Sequence, residues 1–181
     1  SNIEKALTAL KIDLHTLVID WNEFKDLQLA FLRSSTPDSE IPTDHAIVAT
    51  LFKTAAQFNI KYIVNGQNFS TEAILPKAWS HGHYDWKYIK SIHARFGHVK
   101  LKTFPHYSYF RFLYYLLIKK IKIVFPLNYI DYDKQEAIRI LERELNWRNY
   151  GGKHYESKYT HFFQAYILPT KFHFEKRRAH L

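Results

Sequence analysis

The run Lys61-Tyr62-Ile63-Val64-Asn65-Gly66-Gln67-Asn68 decides how the rest of the chain is read. An aromatic and two β-branched residues followed at once by Asn-Gly make a short strand that stops at a turn. Upstream, apolar residues at 47, 48, 51, 52, 55 and 56 recur at helical spacing and predict one amphipathic helix, which Thr43 or Asp44 would cap. Before it, residues 35–42 are rich in Ser, Thr, Pro and acids and read as a loop, and Trp21 to about Ser34 reads as another helix. Leu14, Thr16, Leu17, Val18 and Ile19 predict a strand over Asp13–Asp20. Strand, helices and strand in that order predict an α/β protein with a partial parallel sheet flanked by helices.

In such sheets ligands bind beyond the carboxyl ends of the strands. Asn65, Gly66, Gln67 and Asn68, with Thr71 and Glu72 further on, are therefore candidate binding residues. Three side-chain amides and a carboxylate suit a ribose, an adenine edge or a sugar. The plainer reading of the same residues is a turn, with Ser70 or Thr71 capping the next element.

Working outward, Ile3–Leu10 carries apolar residues at 3, 6, 7 and 10 and reads as a helix end. His81, His83 and Asp85 would share one side of a strand as metal ligands, but nothing else supports a metal, and a polar loop before a helix over Asp85–Phe96 is the better reading. Phe104–Leu117 predicts a helix whose many aromatic rings serve a core or subunit contact rather than base stacking. Ile121–Leu127 reads as a further strand, and Asp133–Trp147 as a helix with Asp133 and Glu136 in capping-box spacing. The chain divides on this reading into residues 1–132 as the α/β domain and 133–181 as a mainly helical C-terminal extension packed on the same core.

The densest chemistry lies in Tyr150-Gly151-Gly152-Lys153-His154-Tyr155-Glu156-Ser157-Lys158-Tyr159-Thr160. Paired glycines let a backbone approach a ligand closely, which makes Gly151, Gly152 and Ser157 candidate binding residues. Lys153, His154 and Glu156 are the candidate catalytic residues: an imidazole steadied by a carboxylate can take a proton near neutral pH, and a lysine can neutralise a phosphate. The plainer reading is a glycine helix end, a loop, and a helix capped by Ser157 or Thr160.

Composition narrows the class. Apolar residues make up 46% and charged ones 24% of 181 residues, which argues against disorder, and no stretch reaches the ~18 uninterrupted apolar residues of a membrane span. No signal-peptide pattern opens the chain, and without Cys there is no disulfide and no thiolate metal site, so a cytoplasmic address is expected. The chain neither begins with Met nor contains one, which points to a piece of a longer protein. The net charge of +9, with cations in Lys119–Lys122 and Lys171–Arg178, suits a nucleic acid or an anionic small molecule alike. A helix over Lys171–Leu181 beside the glycine pair would let Lys171, Arg177 and Arg178 grip a phosphate or diphosphate.

Taken together, Asn65-Gly66-Gln67-Asn68 with Thr71-Glu72, Leu75-Pro76 and Trp79, then Pro126-Leu127-Asn128-Tyr129 with Tyr132, carry a family likeness. So do residues 150–157, Leu168-Pro169 with Lys171-Phe172, and Lys176-Arg177-Arg178-Ala179-His180-Leu181. From about residue 40 to the end, the chain resembles the N-acetyl sugar amidotransferases, which are similar to the PP-loop ATP pyrophosphatases (adenine nucleotide alpha-hydrolase-like α/β proteins). The resemblance implies ATP and Mg2+ as cofactors and activation of the acetamido oxygen of an N-acetylated sugar, with the sugar nucleotide-linked. It also implies ammonia from a separate glutaminase subunit and an acetamidino product destined for bacterial lipopolysaccharide and other surface glycans. The family's Ser-Gly-Gly-x-Asp-Ser loop that cradles ATP, and its cysteines, are absent here, so the chain alone is expected to be inactive. The other reading is an RNA-binding module of a PP-loop tRNA-modifying enzyme; a homo-oligomer built on the aromatic helix is a third.

Overall fold

The computed structural model describes residues 2–69, 79, 82–149 and 157–176. Its elements in chain order are α1 (Asn2–Leu10), α2 (Trp21–Arg33), α3 (Ile41–Gln57), β1 (Tyr62–Val64), α4 (Trp86–Phe96), α5 (Tyr109–Leu113), β2 (Lys122–Val124), α6 (Lys134–Leu145), α7 (Lys158–Phe162) and α8 (Leu168–Phe172). Two π-helical stretches, Tyr114–Ile118 and Phe163–Ile167, continue α5 and α7. The described part is thus mixed helical with a small parallel sheet.

Helix α2 begins because the Asp20 carboxylate accepts from the Glu23 N–H at 3.0 Å. Its inner face carries two buried acids, Glu23 and Asp26, beside the apolar Leu27, Ala30 and Phe31. Glu23 accepts from the backbone N–H groups of Lys102, Thr103 and Phe104 at 2.8–3.1 Å. Asp26 Oδ2 accepts from the N–H groups of His98 and Val99 at 2.8 and 2.9 Å and lies 3.0 Å from His93 Nε2. Burial alone would raise both carboxyls, but these donors outweigh it and hold each below the ordinary range. Residues 98–104 are in this way strapped to α2, and α4 packs beside them around Leu27, Phe31, Ile41, Ala46, Ile89 and Phe104.

Helix α3 starts earlier than its sequence predicts. Ile41 and Pro42 form the first turn, Pro fitting where no N–H partner is needed, and neither Thr43 nor Asp44 is the cap. Its buried stripe is also rotated: His45, Ala46, Ala49, Phe52 and Ala55 face inward, whereas Ile47 and Leu51 are exposed. Of the expected stripe, Phe52 and Ala55 are buried and Val48 and Ala56 pack on the core, while Ala46 and Ala49 take the inward places expected of Ile47 and Leu51. Phe52 and Ala55 join Tyr115 and Ile121 in a second core, with Val48, Ala56, Ile63 and Phe112 packed on it. That core seats the sheet.

Strands β1 and β2 pair in parallel, with Tyr62, Ile63 and Val64 opposite Lys122, Ile123 and Val124. Both were expected as strands and the parallel pairing is as expected, but of the strand expected over Ile121–Leu127 only Lys122–Val124 forms, Pro126 opening a 3-10 turn instead. The strand expected over Asp13–Asp20 does not form: the segment has no regular secondary structure and joins no sheet among the described residues. β-forming residues supply extension, while a strand also needs a neighbouring edge, and none lies alongside. The helix expected over Phe104–Leu117 is shorter, opening at Ser108, whose Oγ accepts from the Arg111 N–H. Phe104, Tyr107 and Tyr115 are buried as expected of core rings, but Tyr109 and Phe110 are exposed.

In the C-terminal part, Asp133 Oδ1 accepts from the Glu136 N–H at 2.7 Å and starts α6 where the capping spacing put it. Helix α1 lies against α6, and Asn2 exchanges two hydrogen bonds with the backbone of Arg148. Ser157 caps α7, its Oγ accepting from the Thr160 N–H at 3.2 Å. Helix α8 ends at Phe172, not beyond, because His173 takes a left-handed φ of 58°. The helix expected over Lys171–Leu181 is therefore broken within its first residues, and residues 177–181 lie outside the described residues.

Candidate functional site

Two groups of polar residues stand out from the core. The first lies beyond β1. The Asn65 N–H still bonds the Val124 carbonyl at 2.9 Å, extending the ladder by one step. The Asn65 Oδ1 then accepts from the Gln67 N–H at 2.8 Å, an Asx turn that lifts the chain off the sheet. Phe69 donates its N–H to Asn128 Oδ1 at 2.8 Å, tying this loop to the 3-10 turn Pro126–Asn128 just past β2. Gly66 has open space where a Cβ would stand, Gln67 is exposed, and Asn68 is buried. The loop thus sits at the carboxyl ends of two parallel strands, where the topology puts ligand sites. Thr71 and Glu72 lie outside the described residues.

The second group was not foreseen. Asp38, buried, faces His83 Nε2 at 3.6 Å and Lys176 Nζ at 3.6 Å, while Asp44 faces the same His83 nitrogen at 3.3 Å. Pairing with Asp38, then with Asp44, pushes the imidazole up to about 9, against a smaller opposing effect of burial. Asp38 acts more strongly although slightly farther because it is the less solvated. His83 is therefore a cation at neutral pH, a hydrogen-bond donor and not a base. Glu40, half-buried, is pushed upward by desolvation and by the charges of Asp44 and Asp38, against the Thr160 hydroxyl and Lys176. Thr160 Oγ1 lies 3.0 Å from Glu40 Oε1 and 2.8 Å from Ser157 Oγ, and the Tyr159 hydroxyl donates to Gln28 Oε1 at 3.1 Å.

Among the residues singled out from sequence, this group contains Ser157, and it brings that residue to the α3 entrance. Lys171 is exposed, its Nζ over the Phe172 ring at 5.7 Å, and is not part of the group as described. Gly151, Gly152, Lys153, His154, Glu156, Arg177 and Arg178 lie outside the described residues. Asp38, Glu40, Asp44 and Lys176 were read as loop, cap or charge, and His83 as part of a polar loop. The local signal was the acid spacing around Pro42, but the convergence depends on contacts across 39 to 138 residues of chain, which no local pattern carries.

Beside the second group, His45 is fully buried and stacks between Trp86 and Tyr107, with ring centroids at 5.6 and 4.4 Å. Its Nδ1 lies 2.8 Å from the His83 carbonyl and its Nε2 accepts from the Tyr107 N–H at 3.4 Å, which assigns the neutral Nδ1–H tautomer. Burial holds its basicity down, consistent with that form.

Among the described residues no group of acids, imidazoles or thiols could hold a metal ion. No helix among them is long and apolar enough to cross a membrane. No family model, no curated protein and no solved structure matches the chain.

Proposed function

We propose that the chain forms the sugar-side part of a cytoplasmic, ATP-dependent amidotransferase of the PP-loop kind, acting on the acetamido group of an N-acetylated, nucleotide-linked sugar. The observation that carries this reading is the Asn65–Asn68 loop at the carboxyl ends of β1 and β2, braced by Asn128. Its amides are donors and acceptors of the kind that recognise sugar hydroxyls and an acetamido group, and the brace fixes them before ligand arrives. Ser157, held by Thr160 beside Glu40 at the start of α3, directly follows in sequence the stretch with Gly151, Gly152, Lys153, His154 and Glu156. There His154, steadied by Glu156, would take the proton from the incoming ammonia nitrogen, the glutaminase being its source.

Mg2+ does not fit the described residues. The three carboxylates that converge, Asp38, Glu40 and Asp44, are already faced by His83 and Lys176, and they make no cation-holding set.

The test is calorimetric titration of the chain with UDP-N-acetylglucosamine and with UDP-glucose. One additional net hydrogen bond to the acetamido group, about 1.4 kcal/mol, would give about tenfold preference for the acetylated sugar. Gln67→Ala should remove that preference. Equal binding of the two sugars, or binding of neither, would overturn the reading.

A further inference from the structure

The molecule holds a cavity that neither polar group lines. Its volume is about 630 Å3, within the ~300–1,000 Å3 usual for small-molecule sites. One wall is α3, which presents Thr50, Lys53, Thr54 and Gln57, spaced i, i+3, i+4 and i+7 and so on one face of the helix. The second wall is the stretch Lys102–His106, and residues 15–17, without regular secondary structure, form a third side. Ala49 and Phe104, both buried, give it an apolar floor.

The lining is one-sided in charge. It carries Lys53 and Lys102 as well as the imidazoles of His15 and His106, and no Asp or Glu among the described residues lines it. Neither ammonium group has a hydrogen bond or ion pair among the described residues. Two of the four threonine hydroxyls are engaged, Thr50 donating to the Ala46 carbonyl at 2.8 Å and Thr103 meeting Glu23. Those of Thr16 and Thr54, and the Gln57 amide, have no partner among the described residues. Glu23 is the acid that meets this wall, but it is buried and its two oxygens are taken by the N–H groups of residues 102–104. Those bonds fix the wall before any ligand arrives, and α3 is a helix of 17 residues, so both lysines project from held backbone.

We propose that this cavity binds a small hydroxylated molecule carrying a phosphate monoester. Such a group holds about −1.5 to −2 charges near neutral pH, which matches two ammonium groups on two walls, whereas a single carboxylate would leave one lysine unmet. Its three terminal oxygens can take both lysines and a threonine hydroxyl together. Thr16, Gln57 and the imidazoles are then left for the hydroxyls of the ligand, and the floor of Ala49 and Phe104 for its carbon skeleton. The cavity shares no residue with the Asn65–Asn68 loop or with the acid and histidine group, so the proposal is independent of the sugar reading.

The test is calorimetric titration of the chain, in about 50 mM salt, with glucose 6-phosphate and with glucose. The ester should bind with a dissociation constant of about 1 mM or below, and glucose should not bind measurably. Lys53→Ala and Lys102→Ala, both at exposed side chains, should each weaken binding about tenfold with the far-UV circular dichroism unchanged. Lys90→Ala, at an exposed lysine of α4 outside the cavity, removes the same charge and should leave the affinity unchanged. No binding of the ester up to about 10 mM overturns the proposal, as does equal binding of glucose. So does an affinity that Lys90→Ala lowers as much as Lys53→Ala.

Discussion

Two regions of this molecule put clustered carboxylates to opposite use. In the α2 strap, Glu23 and Asp26 are met chiefly by backbone N–H groups. Around the entrance of α3, Asp38, Glu40 and Asp44 are met by His83, Lys176 and Thr160. Backbone donors neither titrate nor leave, so the first arrangement is chiefly architecture. Side-chain cations do both, so the second varies with conditions, and it is there that perturbed groups gather as they do in functional sites.

The strap offers the largest contrast. Glu23→Ala would leave the N–H groups of Lys102, Thr103 and Phe104 without their acceptor in a covered site. At about 1–3 kcal/mol for each unmet group, the loss should be about 3 kcal/mol or more in urea unfolding at pH 7. A loss under about 1 kcal/mol would mean that water or a shifted loop replaces the carboxylate, and the contrast between the regions would blur.

Next comes His83→Gln, expected to cost about 2 kcal/mol at pH 6, once solvent screening of the partly exposed pair is allowed for. The sign follows from the raised basicity: the folded chain holds this proton more tightly than the unfolded one. The contribution is fully present below 6.5 and is lost as pH rises through about 9. Unfolding free energies of the two proteins, compared from pH 6 to pH 10, should therefore converge. A constant gap would indicate that His83 serves by packing and not by charge.

The smallest effect is expected at Glu40. Its carboxyl is held above the ordinary range by burial and then by Asp44 and Asp38, so the folded state favours the protonated form. That favour is present below the unfolded value of 4.5 and disappears as pH rises through the folded value, leaving the ionised group a mild liability at pH 7. Glu40→Gln keeps an oxygen for Thr160 and should stabilise by about 0.5 kcal/mol at pH 7 and by nothing at pH 4. Destabilisation at pH 7 would show that the Lys176 attraction outweighs the repulsion.

Much of the fold was legible because its determinants are local. The caps at Asp133 and Ser157 each need only the next three residues, and β1 announces itself by β-branched residues running into Asn-Gly. What was missed depends on distant chain. Asp13–Asp20 has the composition of a strand and pairs with no strand among the described residues, and α3 buries Ala46 and Ala49 while Ile47 and Leu51 stay exposed, a choice set by which elements lie around it. The end of α8 was hidden because a left-handed His173 stands where a glycine would have given notice. At the candidate site, the Asn65–Asn68 loop was found from strand order alone. The acid and histidine group was not, since Asp38, His83 and Lys176 share no sequence neighbourhood.

The strap on α2 also bears on how this protein can drift in sequence. Every residue except proline brings a backbone N–H. The shape of residues 98–104 is therefore written largely at two positions of another element, Glu23 and Asp26, with Leu101 and Phe104 the side chains of the stretch that add contacts to the core. As far as the strap is concerned, homologues should vary freely at Lys102 and Thr103, tolerate proline at 105, as here, and shun it at 98, 99 and 102–104, while the two acids of α2 stay fixed.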